Sequence, residues 1–190
     1  MANAHVAESY EGTDTYKHID RIIRKGTGTL LIITPFIGPS YANMLWKQAG
    51  KKEVYLVISN SKINAKAWKL FTRGRRGAYV RPIAYFAALS AILFYFKIEA
   101  FAVLTIALTI VLLAIVIAKK GKRKNLHVKV SDKLFIHEKL YISDEEAITG
   151  SANLTFGGTH KNLEQISITK DPEEIKRLKE HFWSVWGKHH

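Results

Sequence analysis

Between Pro82 and Ala118 the chain is almost wholly apolar, broken only by Lys97 and Glu99 near its centre. No other feature limits the fold so strongly, because such a run must be covered by lipid or by protein. One spanning helix needs about 20 apolar residues. The block is too long for one and suits two, near residues 82–96 and 100–118, joined at Lys97, Ile98 and Glu99. Charged heads at such a turn can snorkel to an interface. Tyr85, Phe94, Tyr95, Phe96 and Phe101 fall toward the helix ends, as interfacial aromatics do. Basic residues bracket the block: Arg73, Arg75, Arg76 and Arg81 before it, Lys119, Lys120, Lys122, Arg123 and Lys124 after it. A hairpin sets both flanks on one side, and the positive-inside tendency makes that side cytoplasmic. The expectation is a transmembrane helical hairpin over residues 79–120, a two-span membrane protein with the rest of the chain and both termini cytoplasmic. A buried hairpin inside a globular protein is the plainer alternative, disfavoured because the second segment lacks a polar face. A shallow re-entrant hairpin is the third form the pattern allows.

Residues 1–78 and 121–190 read as two parts of one α/β domain. In the first, Asp14 is placed to cap a helix with Tyr16, Ile19, Ile22 and Ile23 on one face. A buried strand over Leu30–Thr34, a helix over Ser40–Ala49 and a strand over Val54–Ile58 follow, an order that suggests a parallel pair with a crossover. In the second, strands are expected at Leu126–Val130, Leu134–Ser143, Ala147–Asn153 and Gln165–Thr169. Asp171, Pro172 and Glu174 then open a helix that turns Ile175, Leu178, Phe182 and Val185 inward. The formal charge of +13 calls for an anionic partner without choosing among nucleic acid, lipid headgroups and phosphorylated substrates. The absence of cysteine excludes disulfides and thiolate metal sites.

Chemistry concentrates between Phe135 and Thr155. Side chains two apart on a strand share a face, so His137 and Lys139 point one way and Leu140 and Ile142 the other. Ser151 and Asn153 pair likewise on the next strand. With Asp144, Glu145 and Glu146 as the turn, Lys139 pairs with Ser151 and His137 with Asn153. An imidazole, an ammonium, a hydroxyl and an amide then form one patch suited to a phosphate diester. The cation and the amide hold anionic oxygens while the imidazole attacks phosphorus or moves a proton.

His137, Lys139, Asp144 and the run Gly150-Ser151-Ala152-Asn153 resemble the signature of the phospholipase D superfamily, and Thr155, Gly158, Asn162 and Glu164 are similar to its continuation. The stretch between Asp144 and Gly150 is one residue shorter than usual. The resemblance implies a phospholipase D-like mixed β-sheet flanked by helices, here interrupted by the hairpin. It also implies a mechanism without metal or cofactor, in which one histidine forms a phosphohistidine and a second protonates the leaving alcohol. Two such motifs are needed and the chain has one, so a homodimer with both His137 side chains at a twofold axis is implied. Glu164 is expected beside the histidine and Asp144 in the turn.

His127 and Lys129 share the spacing but not the downstream residues, and read as a partly exposed strand. His5, His18, His160, His181, His189 and His190 have no metal-ligand spacing. Trp183 and Trp186 read as core or dimer contacts. The leading functional expectation is a membrane-bound phosphodiesterase or phosphatidyl transferase acting on phospholipids, with membrane lipids and a second copy as partners. A membrane-tethered endonuclease is the alternative, and a non-catalytic membrane binding or assembly protein the third.

Overall fold

The computed structural model describes residues 7–73, 77–96, 99–118, 125–132 and 135–188. By its internal contacts the chain divides into two units, Thr72–Lys122 and the residues on either side of it.

In the larger unit seven strands form one sheet in the order β1-β7-β6-β5-β2-β3-β4. The strands are β1 (Glu8–Gly12), β2 (Leu30–Ile33), β3 (Val54–Ser59), β4 (Leu126–Ser131), β5 (Leu140–Ile142), β6 (Ala147–Gly150) and β7 (Glu164–Thr169). Helices α1 (Tyr16–Lys25) and α2 (Pro39–Gln48) follow β1 and β2, and α3 (Ala65–Arg73) follows β3 after a 3-10 turn at Lys62–Asn64. The expected parallel pair is present, Leu30 to Ile33 lying opposite Val54 to Val57. All four residues of β2 are buried, as a central strand covered on both faces requires. One face packs Ile19, Ile22 and Ile23 of α1, Leu45 and Trp46 of α2 and Phe71 of α3 against Leu30, Ile32, Leu56 and Tyr141. The opposite face takes a later helix, α7 (Pro172–Lys188), whose Ile175 and Phe182 meet Leu31, Ile33, Val57, Leu140 and Ile142. The result is a mixed sheet between helical layers.

Three local expectations are revised. Strand β1 was not anticipated, because Glu8-Ser-Tyr-Glu-Gly12 has no apolar alternation; it is an edge strand held antiparallel to β7 by backbone pairing. The strand expected over Leu134–Ser143 shortens to Leu140–Ile142. Ile136 does not join the ladder, since its N–H and C=O are both bonded to the Ser59 hydroxyl, at 3.0 and 3.1 Å. The pairing is also one residue off the expected register: Ile142 faces Ala147 and Leu140 faces Thr149. Ser143 belongs to the turn, where its hydroxyl and N–H both bond to Glu146 O.

The smaller unit holds α4 (Gly77–Tyr95) and α5 (Glu99–Ala118), helices over the apolar block. Among the described residues no helix is long and apolar enough to cross a membrane. The transmembrane hairpin, the two-span localisation and the cytoplasmic placement of the catalytic domain are therefore corrected. An apolar run reports that a segment avoids water, and it does not choose lipid over protein as cover. Helix α4 also starts before the apolar run, taking Tyr79 and Arg81 into its first turns. The two helices meet through hydroxyls as well as apolar groups, with Ser90 Oγ 2.8 Å from Thr105 Oγ1. Lys97 and Ile98, Arg75 and Arg76, Lys119 to Lys124, His5 and the pair His189 and His190, to which turn, flank and surface roles were given, lie outside the described residues.

Candidate active site

Several chain segments meet at one rim of the sheet. The parallel strands β2 and β3 end there at Ile33 and Ser59. Because β5 is antiparallel to β2, its start at Leu140 lies opposite Ile33. The end of β6 at Gly150 and the start of β7 lie beside it, Gly150 facing Ile166. Ligands commonly sit outside the carboxyl ends of such parallel strands.

His137 and Lys139 approach this rim on the irregular segment before β5. Ser59 pins the preceding residue, Ile136, from the end of β3. Lys139 is buried to 5 % exposure, while His137 is exposed. The Lys139 ammonium donates to the His137 carbonyl at 2.6 Å and lies 3.4 Å from Nδ1 and 3.5 Å from Nε2 of the same residue. Near-equal separations mean that neither ring nitrogen is engaged along its lone pair, so the imidazole is not consumed as the lysine's acceptor. Burial holds the Lys139 ammonium below the usual lysine range, and the Glu164 carboxylate opposes that shift.

Ser151 and Asn153 reach the rim on the loop after β6. Gly150 makes the loop possible: its φ is +152°, and an added Cβ would stand 2.2 Å from Gln165 O. Beneath the loop the buried Tyr141 hydroxyl donates to Ala152 O at 2.6 Å. Thr155 caps a short helix, α6 (Phe156–His160), by accepting from Gly158 N at 3.0 Å. Glu164, 8 % exposed, accepts from the Ser151 hydroxyl with one oxygen and from Asn162 Nδ2 at 3.2 Å with the other. Its carboxylate is thus turned to Ser151 and Asn162, and it acts on Lys139 by charge. Asn153 Oδ1 is buried with no hydrogen-bond partner among the described residues. Asp144 stands at the other end of β5, bonded to Lys179 at 2.7 Å and to the Thr27 carbonyl through its own N–H at 3.2 Å. Among the described residues no group of His, Asp and Glu side chains is arranged to hold a metal ion.

The second His-x-Lys pair lies elsewhere. His127 sits at the start of β4, paired with Glu53 at 2.8 Å and stacked on Tyr55, while Lys129 donates to Trp186 O at 2.7 Å. Trp183 and Trp186 pack edge-on against Tyr55. Two contributors to the rim escaped the sequence reading. Ser59 is one, and the buried Asn64 is the other: its Nδ2 donates to Pro35 O and Ser59 O at 2.9 and 2.7 Å, and its Oδ1 accepts from Ile37 N at 2.8 Å. A polar residue at the carboxyl end of a parallel strand was the only signal for Ser59.

The family described as cardiolipin synthase, phospholipase D-like domain, matches residues 114–186, a span that includes every residue of the constellation. Over that span the chain is similar to the phospholipase D superfamily. The phospholipase D fold is also seen by comparison with solved structures. A phospholipase D family member, Nuc from Salmonella typhimurium, superimposes with a TM-score of 0.57 at 16% identity, over 97% of each chain. NucT from Helicobacter pylori gives 0.54 at 14% identity, over 96% of this chain and 97% of that one. Phosphatidylserine synthase from Haemophilus influenzae gives 0.54 at 11% identity, over 96% of this chain and 39% of that one. No curated protein matches by sequence.

Proposed function

We propose that the chain is a phosphodiesterase that cleaves through a phosphohistidine on His137, in a site completed by a second copy of itself. The observation that supports this reading is the meeting of His137, Lys139, Ser151, Asn153 and Glu164 at one sheet rim. Lys139, buried, offers a cation to the non-bridging oxygens, and a desolvated charge is stronger than an exposed one. Glu164 accepts a hydrogen bond from the Ser151 hydroxyl and so fastens the loop after β6 at the same rim. A His137 ring nitrogen forms the P–N bond as the P–O bond to the leaving alcohol breaks, and the His137 of the second copy gives that oxygen its proton. Water then attacks phosphorus, returns a proton to the second imidazole and releases the first. Exposure of His137 suits a ring that meets its own copy across an axis, and the unpartnered Asn153 Oδ1 is an acceptor for a donor arriving with substrate or second copy.

The diester itself is a phospholipid or a nucleic-acid backbone. A side-by-side assay on phospholipid vesicles and single-stranded nucleic acid, in chelator, separates them; His137→Ala is the control. Turnover by wild type on either substrate and none by His137→Ala is the expected result. Full activity in His137→Ala, or in a protein shown to be monomeric while turning over, would overturn the shared histidine site.

A further inference from the structure

Three rings stand in a ladder at the rim. Tyr16 and His160 stack with centroids 4.3 Å apart and planes 6° from parallel, and His160 stacks on Phe156 at 4.6 Å and 18°. Phe156 is 58 % exposed, and the Lys161 ammonium hovers 5.6 Å from its ring centroid. Such a surface is unusual for what holds it in place. His160 Nδ1 is 2.7 Å from the hydroxyl of Thr159, which is fully buried. That hydroxyl also receives a hydrogen bond from Tyr41 at 3.0 Å, and the Thr15 hydroxyl donates to Thr159 O at 3.4 Å. The ladder is therefore built before any ligand arrives, which lowers the ordering cost of binding.

Its location gives the ladder a use. Phe156 follows Asn153 by three positions, and three residues of chain reach at most about 11 Å. The backbone that carries the ring thus lies within about 11 Å of Asn153, near enough for one strand to reach both. Aliphatic lipid tails gain nothing from parallel, pre-aligned ring faces that an apolar groove would not give. A nucleobase does gain, because its own π-face stacks on them, and a neighbouring ammonium serves the adjoining phosphate.

Building on the phosphodiesterase reading above, we propose that the Tyr16–His160–Phe156 ladder with Lys161 is a base-stacking subsite that makes a single-stranded nucleic acid the substrate. A base on Phe156 displaces Lys161 from the ring toward the flanking phosphate, and the strand runs from there across His137. A paired base in a duplex has its faces already covered, so double strands are poor ligands.

The test measures binding by fluorescence anisotropy in the His137→Asn background, where cleavage does not interfere, using an oligothymidylate strand. Phe156→Ala should weaken binding tenfold or more, about 1.4 kcal/mol, and Phe156→Tyr should restore it. The same strand made abasic should bind the unsubstituted ladder tenfold or more weakly, which checks the subsite without touching the protein. Equal affinity for normal and abasic strands, or an equal loss on phosphatidylglycerol vesicles in Phe156→Ala, would overturn the subsite in favour of backbone or lipid recognition. Hydrolysis of methyl p-nitrophenyl phosphate by the wild-type protein reports the underlying reading separately. If that diester is cleaved and the strand data fail, the subsite alone is wrong; if it is not cleaved, the phosphodiesterase reading falls first.

Discussion

The Lys139 ammonium donates to the main-chain carbonyl of His137, its neighbour two residues back, at 2.6 Å. The bond folds the charge back over the segment that presents the imidazole, so imidazole and cation are tied to one short stretch of backbone.

Lys139→Met should lower kcat by about 100–1,000-fold, the range for removing one aligned charge donor, with the fold retained by circular dichroism. The pH profile carries a sharper signature. Because burial lowers the Lys139 pKa, the alkaline limb should fall below the ordinary lysine value near 10.4. Glu164 acts against that shift, so Glu164→Gln should move the limb to still lower pH. Folded-state depression means the unfolded chain binds the proton more tightly. This group's contribution to stability therefore rises as pH climbs from the shifted to the ordinary value. A limb unmoved by Glu164→Gln would break the electrostatic link between the two residues.

Ser59→Ala removes the partner of both polar groups of Ile136. Leaving them unpaired should cost about 1–3 kcal/mol in urea unfolding, with kcat falling more than KM rises, because the segment before His137 loses its anchor. Ser59→Thr keeps the hydroxyl and should recover most of the loss.

Asn64→Leu leaves Pro35 O, Ser59 O and Ile37 N without their side-chain partner. A loss on the order of 3 kcal/mol is expected, read as a lower thermal midpoint. Unchanged stability would mean that the loops after β2 and β3 are fastened by other contacts.

Gly28 and Asp144 should be coupled. Gly28 has φ +65°, and an added Cβ would fall 1.5 Å from Asp144 Oδ2. Gly28→Ala should therefore cost the roughly 1 kcal/mol of a left-handed alanine plus the loss of the Asp144–Lys179 pair as the carboxylate swings aside. In an Asp144→Ser background the penalty should shrink toward that figure. A double-mutant cycle showing additivity would place the strain elsewhere.

What the sequence made legible was local. His137 to Asn153 is one contiguous stretch, so its family resemblance could be read without knowing the fold, and the β2–β3 pair followed from apolar runs with a helix between them. What escaped was either polar or distant. β1 hides because Glu8 and Glu11 look like loop residues until β7 pairs with them. Ser59 acts on Ile136 across 77 positions, a relation set by topology and not by pattern. The register slipped because the Ser143 hydroxyl helps to close a turn that three acidic residues had been expected to make alone. The apolar block was seen correctly as helical, but a hydropathy pattern registers avoidance of water and says nothing of what replaces it.

Strands β3 and β4 lie side by side from Val54–Leu126 to Ser59–Ser131, although all of α3, α4 and α5 intervene between them in the chain. Closing a connection costs only a logarithm of its length, so the length of this crossover is weakly constrained, while β5 to β7 and the segment with His137 and Lys139 come from one later stretch of the chain. Evolution and the protein engineer share the same free parameter there.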